Sequence, residues 1–71
     1  MLPTVDFVIR HVGTLYLPLI TYTNEVTGAT GELYRGEFKD SPEEALERAK
    51  HIWETDGTHN IREFKQSLLS A

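Results

Sequence analysis

The stretch Ser41-Pro42-Glu43-Glu44 constrains this chain more than any other four residues in it. A serine hydroxyl can accept a hydrogen bond from an otherwise unpaired N–H of the first helical turn. Glu44, three residues on, completes a capping box. Pro42 falls at the first helical position, where its missing N–H costs nothing. Ala45, Leu46, Ala49, Ile52 and Trp53 follow at spacings of three and four and make one apolar stripe. Glu43, Glu44 and Glu47 lie toward the positive end of the helix dipole, and Lys50 and His51 toward the other end. Gly57 predicts a stop as a C′ glycine, so the helix is expected over about 42–55. A helix with one apolar stripe must find an apolar surface to cover.

The preceding residues supply that surface. Residues 4–12 (Thr-Val-Asp-Phe-Val-Ile-Arg-His-Val) are rich in β-branched and aromatic types, with Val5, Phe7 and Ile9 alternating with Asp6, Val8 and Arg10. That pattern predicts a strand. Gly13 punctuates it, and residues 14–23 predict a second strand. There Leu15, Leu17 and Leu19 share one face, and Tyr16, Ile20 and Tyr22 share the other. Pro18 has no N–H, so this strand is expected at an edge, or with a break near Pro18. Asn24-Glu25-Val26-Thr27-Gly28 is a turn signal, with Gly28 supplying a positive φ. The chain is then expected to return as a third strand over 30–39, where Gly31 and Gly36 mark bulges or close approaches.

Residues 58–71 admit two readings. Ile61, Phe64 and Leu68 fit a helix at i, i+3, i+7, and they also fit a bulged strand. A strand over 60–67 is the expectation, because a small sheet has an edge in need of a partner. The fold class that follows is α+β: a small antiparallel sheet of three or four strands with one helix packed on one face, in the order β-β-β-α-(β). With 71 residues there is room for one core, so residues 1–71 are expected to form a single compact domain.

Composition removes several classes of function. There is no cysteine, hence no disulfide scaffold, thiol nucleophile or thiolate metal site. No apolar run approaches the roughly 18 residues of a membrane span. The first residues, Met1-Leu2-Pro3-Thr4, carry no basic flank, so a cytoplasmic location is expected. His51, Asp56 and His59 could gather near the helix end, but their spacing matches no zinc pattern, and solvated histidines are expected. Asp40, Glu43, Glu44 and Glu47 crowd the helix start for dipole and capping reasons rather than for acid–base work. Ser41, Ser67 and Ser70 have no G-x-S-x-G context, and the glycines form no phosphate-binding loop. We therefore expect no enzyme, no catalytic residue, no metal and no cofactor.

The aromatics point to binding. If Leu15, Leu17, Leu19 and Leu33 face the helix, then Tyr16, Ile20, Tyr22, Tyr34 and Phe38 gather on the opposite face, dotted with Arg10 and Arg35. Tyrosine and arginine are the types that most often anchor interfaces. Aromatics on a sheet could also stack bases, but that use needs a positive field. Residues 1–39 carry three basic and four acidic groups, and residues 40–71 carry four and seven, so the halves stand at −1 and −3. Nucleic-acid binding therefore ranks third, behind a protein partner and an edge-to-edge homodimer.

The run Ser41-Pro42-Glu43-Glu44-Ala45-Leu46-Glu47-Arg48-Ala49, followed by Ile61-Arg62-Glu63-Phe64-Lys65, resembles small phage-encoded inhibitors of bacterial RNA polymerase over about residues 31–66. That resemblance implies a three-stranded antiparallel sheet with one helix. It also implies binding through basic residues near the last strand, here Arg62 and Lys65, and through an acidic strip, here Glu44 and Glu47. The long hairpin at 14–39 and the tail depart from that pattern. A fainter resemblance is to HicB-type antitoxins, which also run strands into a helix of this kind. Their Pro-Asp-Leu-Pro-Gly-Cys stretch and DNA-binding tail are absent here. The expectation is a non-enzymatic protein that binds and inhibits a larger host complex, either RNA polymerase or a defence complex such as CRISPR-Cas. The residues expected to touch it are Arg10, Tyr16, Tyr22, Tyr34, Arg35, Arg62 and Lys65.

Overall fold

The computed structural model describes residues 3–70. Five elements follow one another: β1 (Thr4–Val12), β2 (Leu15–Thr23), β3 (Thr30–Arg35), α1 (Pro42–Glu54) and α2 (His59–Ser70). The class is α+β, with an antiparallel three-stranded sheet in the order β1-β2-β3. It carries two helices where the sequence predicted one.

Local chemistry sets each boundary. Gly13 (φ +62°) and Thr14 make a two-residue turn that closes on the pair Val12↔Leu15. A first turn residue at positive φ suits the twist of the flanking strands. At the second turn the Asn24 carboxamide accepts from the N–H groups of Val26 and Thr27 at 2.9 and 3.2 Å. Gly28, at φ +76°, donates its N–H to the Asn24 carbonyl at 2.7 Å.

Pro18 lies in the central strand, and the break it requires falls in its neighbour. Pairing of β2 with β3 ends at Leu19↔Arg35, so the third strand stops short of the expected residue 39. Gly36 donates to the Pro18 carbonyl at 2.9 Å, and a single bridge, Tyr16↔Lys39, resumes the ladder beyond. The missing donor of Pro18 thus meets a stretch of chain that asks nothing of it. A register shift at Ile20/Thr21 leaves Leu33 unmatched on β3, and this bulge turns Leu33 into the core.

α1 begins as the capping box requires, with Ser41 Oγ accepting from Glu44 N–H at 3.2 Å. A cap of this kind contributes about 1 kcal/mol. Its end differs from expectation by one residue. Asp56, at φ +50°, takes the left-handed C′ position, and Gly57 follows as C″. Gly57 donates to the Ile52 carbonyl at 2.9 Å and Asp56 to the Trp53 carbonyl at 3.4 Å, the paired bonds of a Schellman motif.

The expected strand over 60–67 is a helix. Thr58 caps it, its Oγ1 accepting from Ile61 N–H at 3.2 Å and its carbonyl from Arg62 N–H at 3.1 Å. The i, i+3, i+7 set Ile61, Phe64 and Leu68 turns inward, with Ile61 fully buried and the other two half-buried. α2 packs beside β3, so a helix lies at the sheet margin where the sequence predicts a fourth strand.

Both helices lie on one side of the sheet. The core joins Ile20, Leu33, Ala49, Ile52 and Ile61, with Val5, Phe7, Tyr22, Tyr34, Trp53 and Phe64 packed against it. Register explains the choice of face. Phe7 stands opposite Ile20 and Val5 opposite Tyr22, so the apolar set of β1 and the Tyr/Ile set of β2 share a side. This reverses the expectation that Leu15, Leu17 and Leu19 would lie beneath the helix. Leu33 reaches the helix side through the bulge.

Candidate protein-binding face

Three strands with helices on one side leave the other side bare. Alternation puts Asp6, Val8, Arg10 and Val12 of β1 on it. Across from them stand Thr21, Leu19, Leu17 and Leu15 of β2. Arg35 lies opposite Leu19, and Glu32 opposite Thr21. Lys39 pairs with Tyr16 on the helix side, so a chain extended through Phe38, one residue earlier, would set that side chain toward the bare side. Val8, Val12, Leu15 and Phe38, the last 49% exposed, are four of the six large apolar residues that face solvent among the described residues. Their gathering on one face, rather than singly over the surface, makes the feature informative.

Beneath these, Leu17 and Leu19 are 7% and 3% exposed although no helix covers them. Arg10 stands opposite Leu17 and Arg35 opposite Leu19. Long basic side chains can cover apolar neighbours with their aliphatic stems while the charge stays wet. Arg35 Nε donates to Glu32 Oε1 at 2.8 Å and Nη2 to Oε2 at 3.2 Å, a two-pronged clasp. That clasp holds the Glu32 carboxyl below its ordinary value of 4.5. Partial desolvation opposes the shift, and the charges of Arg35 and Arg10 add to it. The same clasp raises the Arg35 guanidinium above its ordinary value.

A carboxyl whose folded value is depressed contributes stability above its unfolded value and loses it as pH falls through the folded value. The clasp is therefore intact above about pH 4.5 and opens in more acid solution. Arg35→Gln should bring the Glu32 midpoint back up toward 4.5 in a carboxyl NMR titration. An unchanged midpoint would refute the clasp.

The predicted site residues divide between the two sides. Arg10 and Arg35 share the bare face. The three tyrosines do not join them, so there is no single Tyr/Arg face. Tyr16 stacks on His11 with ring centroids 4.6 Å apart. Tyr22 is half-buried against Phe64 at 5.2 Å, and the Tyr34 hydroxyl lies over Gly36 beside Pro18. Arg62 is exposed on α2. Lys65 is committed internally: its Nζ donates to the Trp53 carbonyl, to Asp56 Oδ1 at 2.6 Å, and sits 4.4 Å from the Trp53 ring centroid. Glu44 and Glu47 line a cleft with Lys39, Arg48 and His51 that neither Arg62 nor Lys65 borders. The basic and acidic set implied by the polymerase-inhibitor resemblance is thus not gathered on one surface.

The sequence reading places Phe38 on the open face but does not single out Val8, Val12 and Leu15 as surface residues. The signal that finds them is the two-residue turn at Gly13-Thr14, which fixes the whole register of β1 on β2. Among the described residues no three His, Asp or Glu side chains are grouped so as to hold a metal ion. No helix there is long and apolar enough to cross a membrane. No protein-family model, no curated protein and no solved structure matches this chain.

Proposed function

We propose that the chain is a non-enzymatic binding protein that docks its bare sheet face on an apolar patch of a larger protein complex. The observation that carries this reading is the set of exposed apolar side chains Val8, Val12, Leu15 and Phe38, bordered by Arg10, Arg35 and Glu32. An apolar centre inside a polar rim is the anatomy of a protein interface. Phe38 is its aromatic anchor, and Arg10 and Arg35 are the arginines most often found at such anchors. The likeness to phage inhibitors supplies the class of target, a bacterial host machine, with RNA polymerase the first to test.

Leu15→Asp and Phe38→Asp place a charge at the centre of that contact and leave the helix-side core intact. Purified bacterial RNA polymerase, and separately a purified CRISPR effector complex, should co-elute with the wild-type chain in gel filtration. Either variant should lose at least about 2 kcal/mol of binding while unfolding at the wild-type temperature. Binding that both variants retain, or no co-elution with either machine, would overturn the reading.

A further inference from the structure

We propose that the protein forms a two-fold symmetric homodimer by antiparallel pairing of β1 with β1 of a second copy, in the register that sets Val8 against Val8. β1 is an outer strand, paired only with β2, and it is nine residues long. Strands left at a margin are normally blunted by Pro, Lys, a bulge or shortness. β1 has none of these. Its pairing with β2 runs without a shift from Thr4↔Thr23 to Val12↔Leu15, so its outer rim is regular along its length.

The turn determines which backbone groups that rim offers. In a two-residue hairpin the closing pair, Val12↔Leu15, exchanges both hydrogen bonds. Thr4, Asp6, Val8, Arg10 and Val12 therefore aim their N–H and C=O groups at β2. Val5, Phe7, Ile9 and His11 aim theirs outward. Only the odd-numbered residues can bond a second copy, so an antiparallel partner can slide only in steps of two. The register centred on Val8 overlaps all nine residues.

Side chains select the same register. Centred on Val8, Asp6 of each copy stands opposite Arg10 of the other, twice per dimer, and in the non-hydrogen-bonded pairs where side chains come closest. Phe7 stands opposite Ile9 twice on the helix side, apolar against apolar. A slip of two residues either way puts Asp6 opposite Val8 or Val12 and Arg10 opposite Thr4 or Val8, with no charge matched. Neither Asp6 nor Arg10 belongs to any of the three ion pairs found among the described residues. A strand whose only two charges are opposite in sign and symmetric about its midpoint is complementary to its own copy. The resulting six-stranded sheet carries all its helices on one side and a doubled bare face on the other. This proposal does not rest on partner docking.

Sedimentation equilibrium of the full chain, from low micromolar to submillimolar concentration, should show the mass rise from 8.1 kDa toward twice that value. Asp6→Arg alone and Arg10→Asp alone should each weaken dimerisation about tenfold or more, since both set like charges face to face twice. The double variant Asp6→Arg/Arg10→Asp restores both pairs with signs exchanged and should return to within about twofold of wild type. Amide exchange of the unmodified chain supplies a second readout. Phe7 and Ile9 should gain protection with concentration, while Asp6 and Val8 should be protected throughout. A chain that stays at 8.1 kDa, charge reversals without effect or without rescue, or protection gained on β3 instead would overturn the dimer. Leu15→Asp and Phe38→Asp should leave it intact, which separates this failure from a failure of partner docking.

Discussion

Ile61→Ala should lower the unfolding free energy by about 3 kcal/mol, the usual range for a buried aliphatic side chain cut back to its Cβ. Ile61 is fully buried and belongs to the cluster of Ile20, Leu33, Ala49 and Ile52. Among the described residues of α2 it is the one fully enclosed side chain, set between the half-buried Phe64 and the rest of the core. A chain of this length holds only about 4–10 kcal/mol in all. The substitution should therefore lower the melting temperature by roughly 15 °C and broaden the transition. Leu69→Ala is the matched comparison, since Leu69 is 88% exposed on the same helix and should change stability by less than about 0.5 kcal/mol. Equal losses from the two variants would mean that α2 does not pack through Ile61.

Gly31→Val should be destabilising by about 1–3 kcal/mol, against the ordinary preference of strands for β-branched residues. A Cβ at Gly31 would come within 2.5 Å of Cζ and Oη of Tyr22, whose ring lies across the glycine. The ring has little freedom to withdraw. Val5 stands opposite Tyr22 on β1, and Phe64 approaches it at 5.2 Å. Removing the ring should remove the penalty, so Gly31→Val should cost much less in a Tyr22→Ala background than in the wild type. Chemical denaturation of the four proteins measures that difference. Additive losses would show that the tyrosine and the glycine are not in contact.

Much of this architecture could be read directly from the chain. Both turns, the first two strands and the cap of α1 follow from local signals at Gly13, Asn24, Gly28 and Ser41-Pro42, because such signals act within a few residues. The failures share one cause. Whether residues 60–67 extend or coil, and which face of β2 meets the helices, are settled by contacts between distant segments. Leu15, Leu17 and Leu19 look like a core face taken by themselves. They lie outside because Gly13-Thr14 ties Phe7 to Ile20, and the partner strand's Val5, Phe7 and Ile9 form the stronger apolar set. The same count would have separated the tyrosines from Arg10, which stands opposite Leu17. The sequence by itself presents Lys65 as a partner-binding cation. Its use as a clamp on Asp56 and Trp53 depends on a turn that folds α2 back, and no local pattern shows that.

The strand order β1-β2-β3 has a kinetic meaning. Every ladder joins segments adjacent along the chain, through one two-residue turn and one short loop. No crossover has to be threaded, and the entropy of closing each loop is small. The sheet can therefore zip from its turns outward, and the distant closures that remain are the meeting of α1 with β1, where Trp53 comes edge-on to Phe7 at 6.4 Å, and of α2 with the sheet, where Phe64 meets Tyr22. Chains dominated by such near-neighbour pairings reach the native state in milliseconds or less. That leaves little time for the long bare margin of β1 to meet another unfinished chain before its own side chains are in place.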